Sequence, residues 1–368
     1  MSKKAKSTVV ITVLASSLYL SGCGLLSFGD KEKIDPPKDV SYLEEGEKVD
    51  TTKEEGDKAN TSKEGKEEGK DVSKKDAAEE TIMTELYLID ENGYVVSQAL
   101  PLPKTESVAK QALEYLVADG PVQNMLPNGF RAVLPAETQV SVNIKDGKAI
   151  ADFSKEFANY QPEDEKKILE AVTWTLTQFD SVEKVELTMN GYPLTEMPVS
   201  NTPINESGLT REVGINVDTS GVVDVTNTKP LTVYYVSQTG DQSYYVPVTK
   251  RVSANEENDA KSVVQQLIEG PGYASSLVSD FTGAALLDDP KIKDGTVTLN
   301  FNEAVYGSIE EKLVSEHMLN SLVLSLTEQE DIKEVSVLVN GEATSVSKEG
   351  KTVTEPVSRP ENINAVSF

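Results

Sequence analysis

Residues 85–191 and 232–341 carry the same series of apolar runs and turns, displaced by 147 to 150 residues. A period this long, with strand-like and helix-like segments inside each copy, specifies tandem domains, since solenoid units run about 20 to 50 residues. The length of 368 residues agrees with a prior of roughly two domains.

Each element has a local reason. Glu85-Leu86-Tyr87-Leu88-Ile89 and Thr232-Val233-Tyr234-Tyr235-Val236 read as opening strands. Each is followed by a turn (Glu91-Asn92-Gly93, then Thr239-Gly240-Asp241) and a second strand. Ala260, Val263, Val264, Leu267 and Ile268 recur at helical spacing, and Gly270-Pro271 ends that helix. Val108, Ala112, Leu113 and Leu116 play the same part ahead of Asp119-Gly120-Pro121. Asp146-Gly147 and Asp294-Gly295 are turn signals before further strands. The second helices carry Leu169, Val172, Leu176 and Phe179 in copy one, and Leu319, Leu322, Val323 and Leu326 in copy two. Pro162 with Glu163, Asp164 and Glu165 starts the first of these, and Ser308 with Glu310 and Glu311 reads as a capping box for the other. Closing strands end in Asn190-Gly191 and Asn340-Gly341.

The order strand, strand, helix, long loop, strand, strand, helix, strand predicts an α/β (α+β) fold. It makes two tandem two-layer sandwiches, with the helices packed on one face of a small mixed sheet. The expected bounds are 81–195 and 232–345. Residues 196–231 join the copies, with short stiffening strands expected at 214–217 and 221–225. Residues 346–368 read as a polar tail that frays. Surfaces between domains of one chain are commonly small, so relative motion of the two copies is the expectation.

The amino terminus is of another kind. Lys3, Lys4 and Lys6 precede an apolar stretch from Val9 to Leu20, too short to span a bilayer but suited to an export signal over 1–22. Leu20-Ser21-Gly22-Cys23 resembles the lipobox of bacterial lipoproteins, and Cys23 is the only cysteine in the chain. The resemblance implies a diacylglyceryl thioether on Cys23; two acyl chains hold a protein on a membrane stably, at about 0.8 kcal/mol per buried CH₂. Residues 24–80 hold 11 Lys and 18 Asp or Glu but only two aromatics, Phe28 and Tyr42. Such a segment cannot bury enough apolar surface to offset its ordering entropy, so 23–80 reads as a lipidated cysteine on a disordered acidic linker.

Composition removes whole classes of function. A net charge of -26 opposes a nucleic-acid partner, because a phosphate backbone demands Lys and Arg. One His and one Cys leave no disulfide framework and no thiolate or imidazole metal cluster. His317, the only candidate for an imidazole base, falls at an exposed helix position. No phosphate loop or dinucleotide fingerprint is present, so neither cofactor nor catalytic residue is assigned. Acidic pairs such as Asp152 with Glu156, or Glu303 beside Asn302, are not distinctive enough to mark a glycosidase. Tyr234, Tyr235, Tyr244 and Tyr245 are the candidate partner surface: alternation turns one of each pair outward, and exposed Tyr suits interfaces. Strand addition along 232–236 is the docking mode that this reading predicts.

A Tyr-containing first strand, a helix closed by Gly-Pro, Leu134-Pro135-Ala136-Glu137-Thr138, and Asp146-Gly147 before Ala151-Asp152-Phe153-Ser154 resemble the GerMN domain family. The closing strand with Asn-Gly belongs to the same pattern, while copy two departs from it at Leu286-Leu287-Asp288-Asp289-Pro290. The resemblance implies a ring-building-motif-like fold without known catalysis. It implies a lipoprotein needed for sporulation and germination, at the membrane between mother cell and forespore, that scaffolds other sporulation envelope proteins. A cell-wall or solute-binding lipoprotein is the alternative, which predicts a concave pocket between the copies; a carboxylate-dependent peptidoglycan hydrolase is the third.

Overall fold

A computed structural model describes residues 80–220, 226–239, 242–256, 258–308, 310, 312–348, 351–353 and 355–365. The signal, Cys23 and the acidic linker lie outside the described residues. Copy one begins with the hairpin β1 (Thr81–Ile89) and β2 (Val95–Pro103), followed by helix α1 (Val108–Glu114). Strands β3 (Val140–Lys145) and β4 (Lys148–Phe153) precede helix α2 (Glu165–Leu176), and β5 (Lys184–Met189) and β6 (Tyr192–Pro193) close the copy. Copy two repeats the plan with β7 (Thr228–Thr239), β8 (Gln242–Ser253), α3 (Asp259–Glu269), β9 (Lys291–Lys293) and β10 (Thr296–Phe301). It adds β11 (Tyr306–Ser308) and β12 (Leu313–Val314) before α4 (Glu316–Leu326), β13 (Glu334–Val339) and β14 (Glu342–Ala343). The tail supplies β15 (Ser345–Lys348), β16 (Lys351–Val353) and β17 (Val357–Ser358).

Each copy is mixed α/β, as the pattern predicts, but its strands divide into a hairpin and a mixed sheet, and copy two adds a further sheet, β11-β12-β15-β16, shared with the tail. β1–β2 and β7–β8 are separate two-stranded hairpins. The mixed sheets run β3-β4-β5-β6 and β14-β13-β10-β9, with β4 parallel to β5 and β10 parallel to β13. The helices join hairpin to sheet: α2 packs on both β1 and β5, and α4 on both β7 and β13. Their buried stripes are the expected ones, including Leu169, Val172 and Leu176 in α2 and Leu319, Leu322 and Leu326 in α4.

Four of the predicted turns share one geometry. Asp146-Gly147, Asn190-Gly191, Asp294-Gly295 and Asn340-Gly341 all have positive φ at both residues. That pair of conformations is the type I′ turn, whose twist matches the strands it joins, and it explains Asn or Asp followed by Gly at each site.

Three local expectations need correction. Helix α1 stops at Glu114 rather than at Asp119-Gly120, because Val117 leaves the helix to bridge Leu134. Helix α4 is capped not by Ser308 but by Ser315, whose side chain accepts from the Met318 N–H. Ser308 ends β11, which pairs with β12, and β12 in turn pairs with β15 of the tail. The tail is not frayed over its described length: β17 pairs with β13, and Val357 and Ile363 are buried.

Candidate functional site at the junction of the two copies

Both copies fall within one compact unit. Residues 214–217 form no strand, and 221–225 lie outside the described residues. Besides direct contacts, two chain segments, one following each copy, cross between them: the arms at 207–218 and 355–365.

The arms are equivalents. Leu209 bridges Val185 of β5, as Val357 bridges Val335 of β13. Next come Arg211 and Arg359, then Ile215-Asn216 and Ile363-Asn364, each pair 148 residues apart. The Arg211 Nε donates to Thr177 Oγ1 at 3.1 Å, and the Arg359 Nη1 donates to Thr327 Oγ1 at 3.0 Å. Ile215 and Ile363 are both buried.

The asparagines stitch the two hairpins together. The Val95 N–H donates to Asn216 Oδ1 at 2.8 Å, while Asn216 Nδ2 donates to the carbonyls of Val95 and Pro247, both at 2.7 Å. The Tyr245 N–H donates to Asn364 Oδ1 at 2.8 Å, while Asn364 Nδ2 donates to the carbonyls of Tyr245 and Ser97, both at 2.9 Å. Strand register makes Val95 equivalent to Tyr245 and Ser97 equivalent to Pro247, because Tyr87 faces Ser97 as Tyr234 faces Pro247. Each amide thus binds its own copy twice and the other copy once. The backbone repeats the relation: the Thr249 N–H donates to the Ile215 carbonyl at 2.8 Å, and the Ala99 N–H to the Ile363 carbonyl at 3.2 Å. Reciprocal contacts between equivalent residues define a two-fold relation. Both asparagines hold positive φ, 47° and 55°, which Asn tolerates better than most residues.

A charge cluster sits beside these clasps. Glu328 Oε2 accepts from Arg211 Nη1 at 3.0 Å, and Oε1 accepts from Arg359 Nη2 and Tyr234 Oη, each at 2.8 Å. One carboxylate therefore ties both arms to copy two. Burial raises the Glu328 pKa, but the fields of Arg359 and Arg211 and the Tyr234 hydroxyl outweigh it and hold the group ionised. Arg211 also stacks over Trp174, 4.4 Å from the ring centroid, and Arg359 over Tyr234 at 5.4 Å.

The loop that leads to the first arm is anchored as well. Glu165, fully buried at the start of α2, accepts from Tyr160 Oη at 2.7 Å, Ser200 N at 2.7 Å, Thr202 N at 3.1 Å, Thr202 Oγ1 at 2.5 Å and Val199 N at 3.3 Å. Burial pushes its pKa up, yet the Thr202 hydroxyl, the Ser200 N–H and the Tyr160 hydroxyl prevail and bring it down to about 2.

The tyrosine surface is not free. Tyr234, Tyr235 and Tyr244 are 0%, 1% and 6% exposed. Tyr234 packs on Leu324 and Ile363, Tyr235 donates to the Gln266 carbonyl, and Tyr244 donates to Asp90 of copy one at 2.8 Å. Tyr245 is half-buried, its hydroxyl 3.1 Å from Nδ1 of the exposed His317. Alternation did turn neighbours to opposite faces, but helix α4 and the second arm cover one face of β7, and copy one covers β8. Strand addition along 232–236 is closed as well, because the Tyr234 N–H is taken by Ser325 Oγ and Val236 is bridged to Val278. Asp152 and Asn302 are structural: Asp152 accepts from Thr188 Oγ1 and the Gly191 N–H, and Asn302 ties Ala285 to Gly283. Leu20, Ser21, Gly22 and Cys23 lie outside the described residues.

A cavity of about 230 Å³ opens at the junction, lined among others by Gln98 and Phe130 of copy one and Gln242, Ser243 and Tyr244 of copy two. Phe130 and Tyr244 meet edge to face at 5.2 Å in its wall.

The family described as "Germane: Sporulation and spore germination" matches residues 85–195 and 232–345. The chain is 54% identical, over the whole of both sequences, to the spore germination protein GerM of Bacillus subtilis (strain 168). The solved tandem GerMN domains of that sporulation protein superpose with a TM-score of 0.73 at 57% identity, covering 78% of this chain and 100% of that one. The first GerMN domain solved alone is 68% identical and covers 36% of this chain and 98% of its own, with a TM-score of 0.35.

Proposed function

Since the chain belongs to the Germane family of sporulation and spore germination proteins, we propose that it serves them as a non-enzymatic, lipid-anchored assembly platform. Cys23 carries the acyl chains, the acidic linker sets the reach, and the clasped pair of copies presents one fixed surface to other envelope proteins. The platform sits outside the cytoplasm, in the space between mother-cell and forespore membranes. The observation that carries this reading is the junction. Two amide clasps, two arms and a shared carboxylate fix one copy against the other, which is what a template for assembly needs and a flexible pair of binding beads does not. Two related surfaces held at a constant spacing also raise avidity through effective concentration.

Intact-mass measurement of the protein from sporulating cells tests the anchor: diacylglyceryl on Cys23 is expected, and a free thiol on a cytosolic protein would end this reading. Crosslinking followed by pull-down tests the platform, with envelope proteins recovered by the intact chain and lost when the junction is disrupted by Glu328→Gln. The cavity lined by Phe130 and Tyr244 favours a second reading, a solute-binding lipoprotein. Saturation-transfer NMR with cell-wall saccharides separates the two, because only the second predicts transfer that a Ser243→Trp plug removes.

A further inference from the structure

The junction treats the two copies as interchangeable halves. The asparagine clasps and one backbone bond of the first arm have counterparts in the second: Asn216 with Val95 and Pro247 against Asn364 with Tyr245 and Ser97, and Ile215 with Thr249 against Ile363 with Ala99. The charge cluster departs from this symmetry: copy two supplies Glu328, whose counterpart Gln178 instead bonds the Glu85 backbone. An interface built this way is isologous in form although both sides lie on one chain. Nothing in its contacts specifies that the two halves be covalently joined.

We infer that the surface each copy offers the other, the edge of its second hairpin strand with its trailing arm, also fits a second copy of this chain, so that two chains pair reciprocally with copy one of each seated on copy two of the other. Only the segment 217–227 selects the closed monomer. Its first residues are already fixed on copy two, where the Asp218 N–H donates to the Thr249 carbonyl at 2.9 Å and the Asp218 carboxylate lies 3.5 Å from Lys250 Nζ. Nine residues, 219–227, separate Asp218 from Thr228, the first residue of β7. A short tether gives an effective concentration in the mM range, so closed monomers dominate in dilute solution. Reciprocal dimers compete once the local concentration approaches that range, as it does for molecules crowded on a surface.

The closed and exchanged forms share every junction contact, so connection length alone decides between them. This makes the test specific. The full-length chain, with Cys23→Ser to exclude thiol crosslinks, is compared with a variant lacking residues 221–225 and with one carrying ten extra Gly and Ser residues there. Light scattering coupled to size exclusion at about 10 μM should give a monomer for the parent and the extended variant, and a dimer for the shortened one. Adding Asn216→Ala and Asn364→Ala to the shortened variant should weaken its dimer at least tenfold, with circular dichroism reporting that each copy stays folded. The full-length parent refolded at high concentration should yield a dimer that survives dilution and disappears after unfolding and dilute refolding. A shortened variant that stays monomeric with the parent's melting curve overturns the inference. So does a dimer indifferent to connection length or to the two asparagines, because ordinary surface association behaves that way.

Discussion

Glu165→Gln is the substitution whose cost follows most directly from geometry. The carboxylate accepts five hydrogen bonds, three of them from the backbone of residues 199–202 at the root of the first arm. Glutamine keeps the shape but turns an N–H₂ toward donors, leaving some unpaired and removing the charge that strengthens the rest. An unfolded glutamate titrates near 4.3 and the folded group at about 2. A depression of roughly two units corresponds to about 3 kcal/mol of stability at neutral pH. The folded pKa lies below the unfolded one, so this contribution is complete above about pH 5 and disappears as pH falls through about 2. Urea unfolding followed by circular dichroism at pH 7 and again between pH 4.5 and 2.5 measures it. The difference between parent and variant should be about 3 kcal/mol at pH 7 and shrink steadily with acidification. A difference that stays constant over that range, or one under about 0.5 kcal/mol at pH 7, refutes the claim that a charged acceptor secures this loop.

Other changes sort by mechanism. Glu328→Gln leaves Arg211 and Arg359 without their carboxylate; breaking a buried pair costs about 3–5 kcal/mol, and with the arginines 33% and 28% exposed the low end is expected in thermal melts. Glu170, pushed up to about 7 by burial, favours the protonated fold, so its penalty develops as pH rises from about 4.5 through 7. Glu170→Gln should therefore be close to neutral at pH 4 and stabilising by about 3 kcal/mol at pH 8 in denaturant titrations, and equal effects at both would contradict this. Gly147→Ala and Gly191→Ala both strain a positive φ, but a Cβ on residue 147 would sit 3.0 Å from Glu183 Cδ while residue 191 has open space around it. Melting should show the first costing about 1 kcal/mol more than the second.

The sequence is most readable where one residue type answers one backbone demand. The Asn-Gly and Asp-Gly turns, Gly270 after α3 and the apolar stripes of α2 and α4 all report such demands, and the structure answers each. Reading failed where partners are distant. The four tyrosines look half exposed by alternation because alternation knows nothing of a second copy lying on β8. The arms look like linker and tail because each crosses its neighbours instead of running along them. An arm buries Leu209 and Ile215, or Val357 and Ile363, too few apolar residues to show a period. The available signal was the offset itself: Leu209-Thr210-Arg211 with Ile215-Asn216, then Val357-Ser358-Arg359 with Ile363-Asn364, fall on the same displacement as the rest of the repeat. The duplicated unit thus extends past both matched family segments, which end at 195 and 345.

The two-fold relation between the arms carries a consequence for connectivity. Residues 217–227 lead from Asn216 to Thr228, the first residue of β7, and the counterparts of those two ends are Asn364 and Thr81. A bridge of the same eleven residues would therefore span from the carboxyl end back to the start of β1. A circularly permuted chain, opened within 221–225 and closed through that bridge, has every strand, clasp and ion pair available to it. The folded body is then indifferent to the order in which its two halves are encoded.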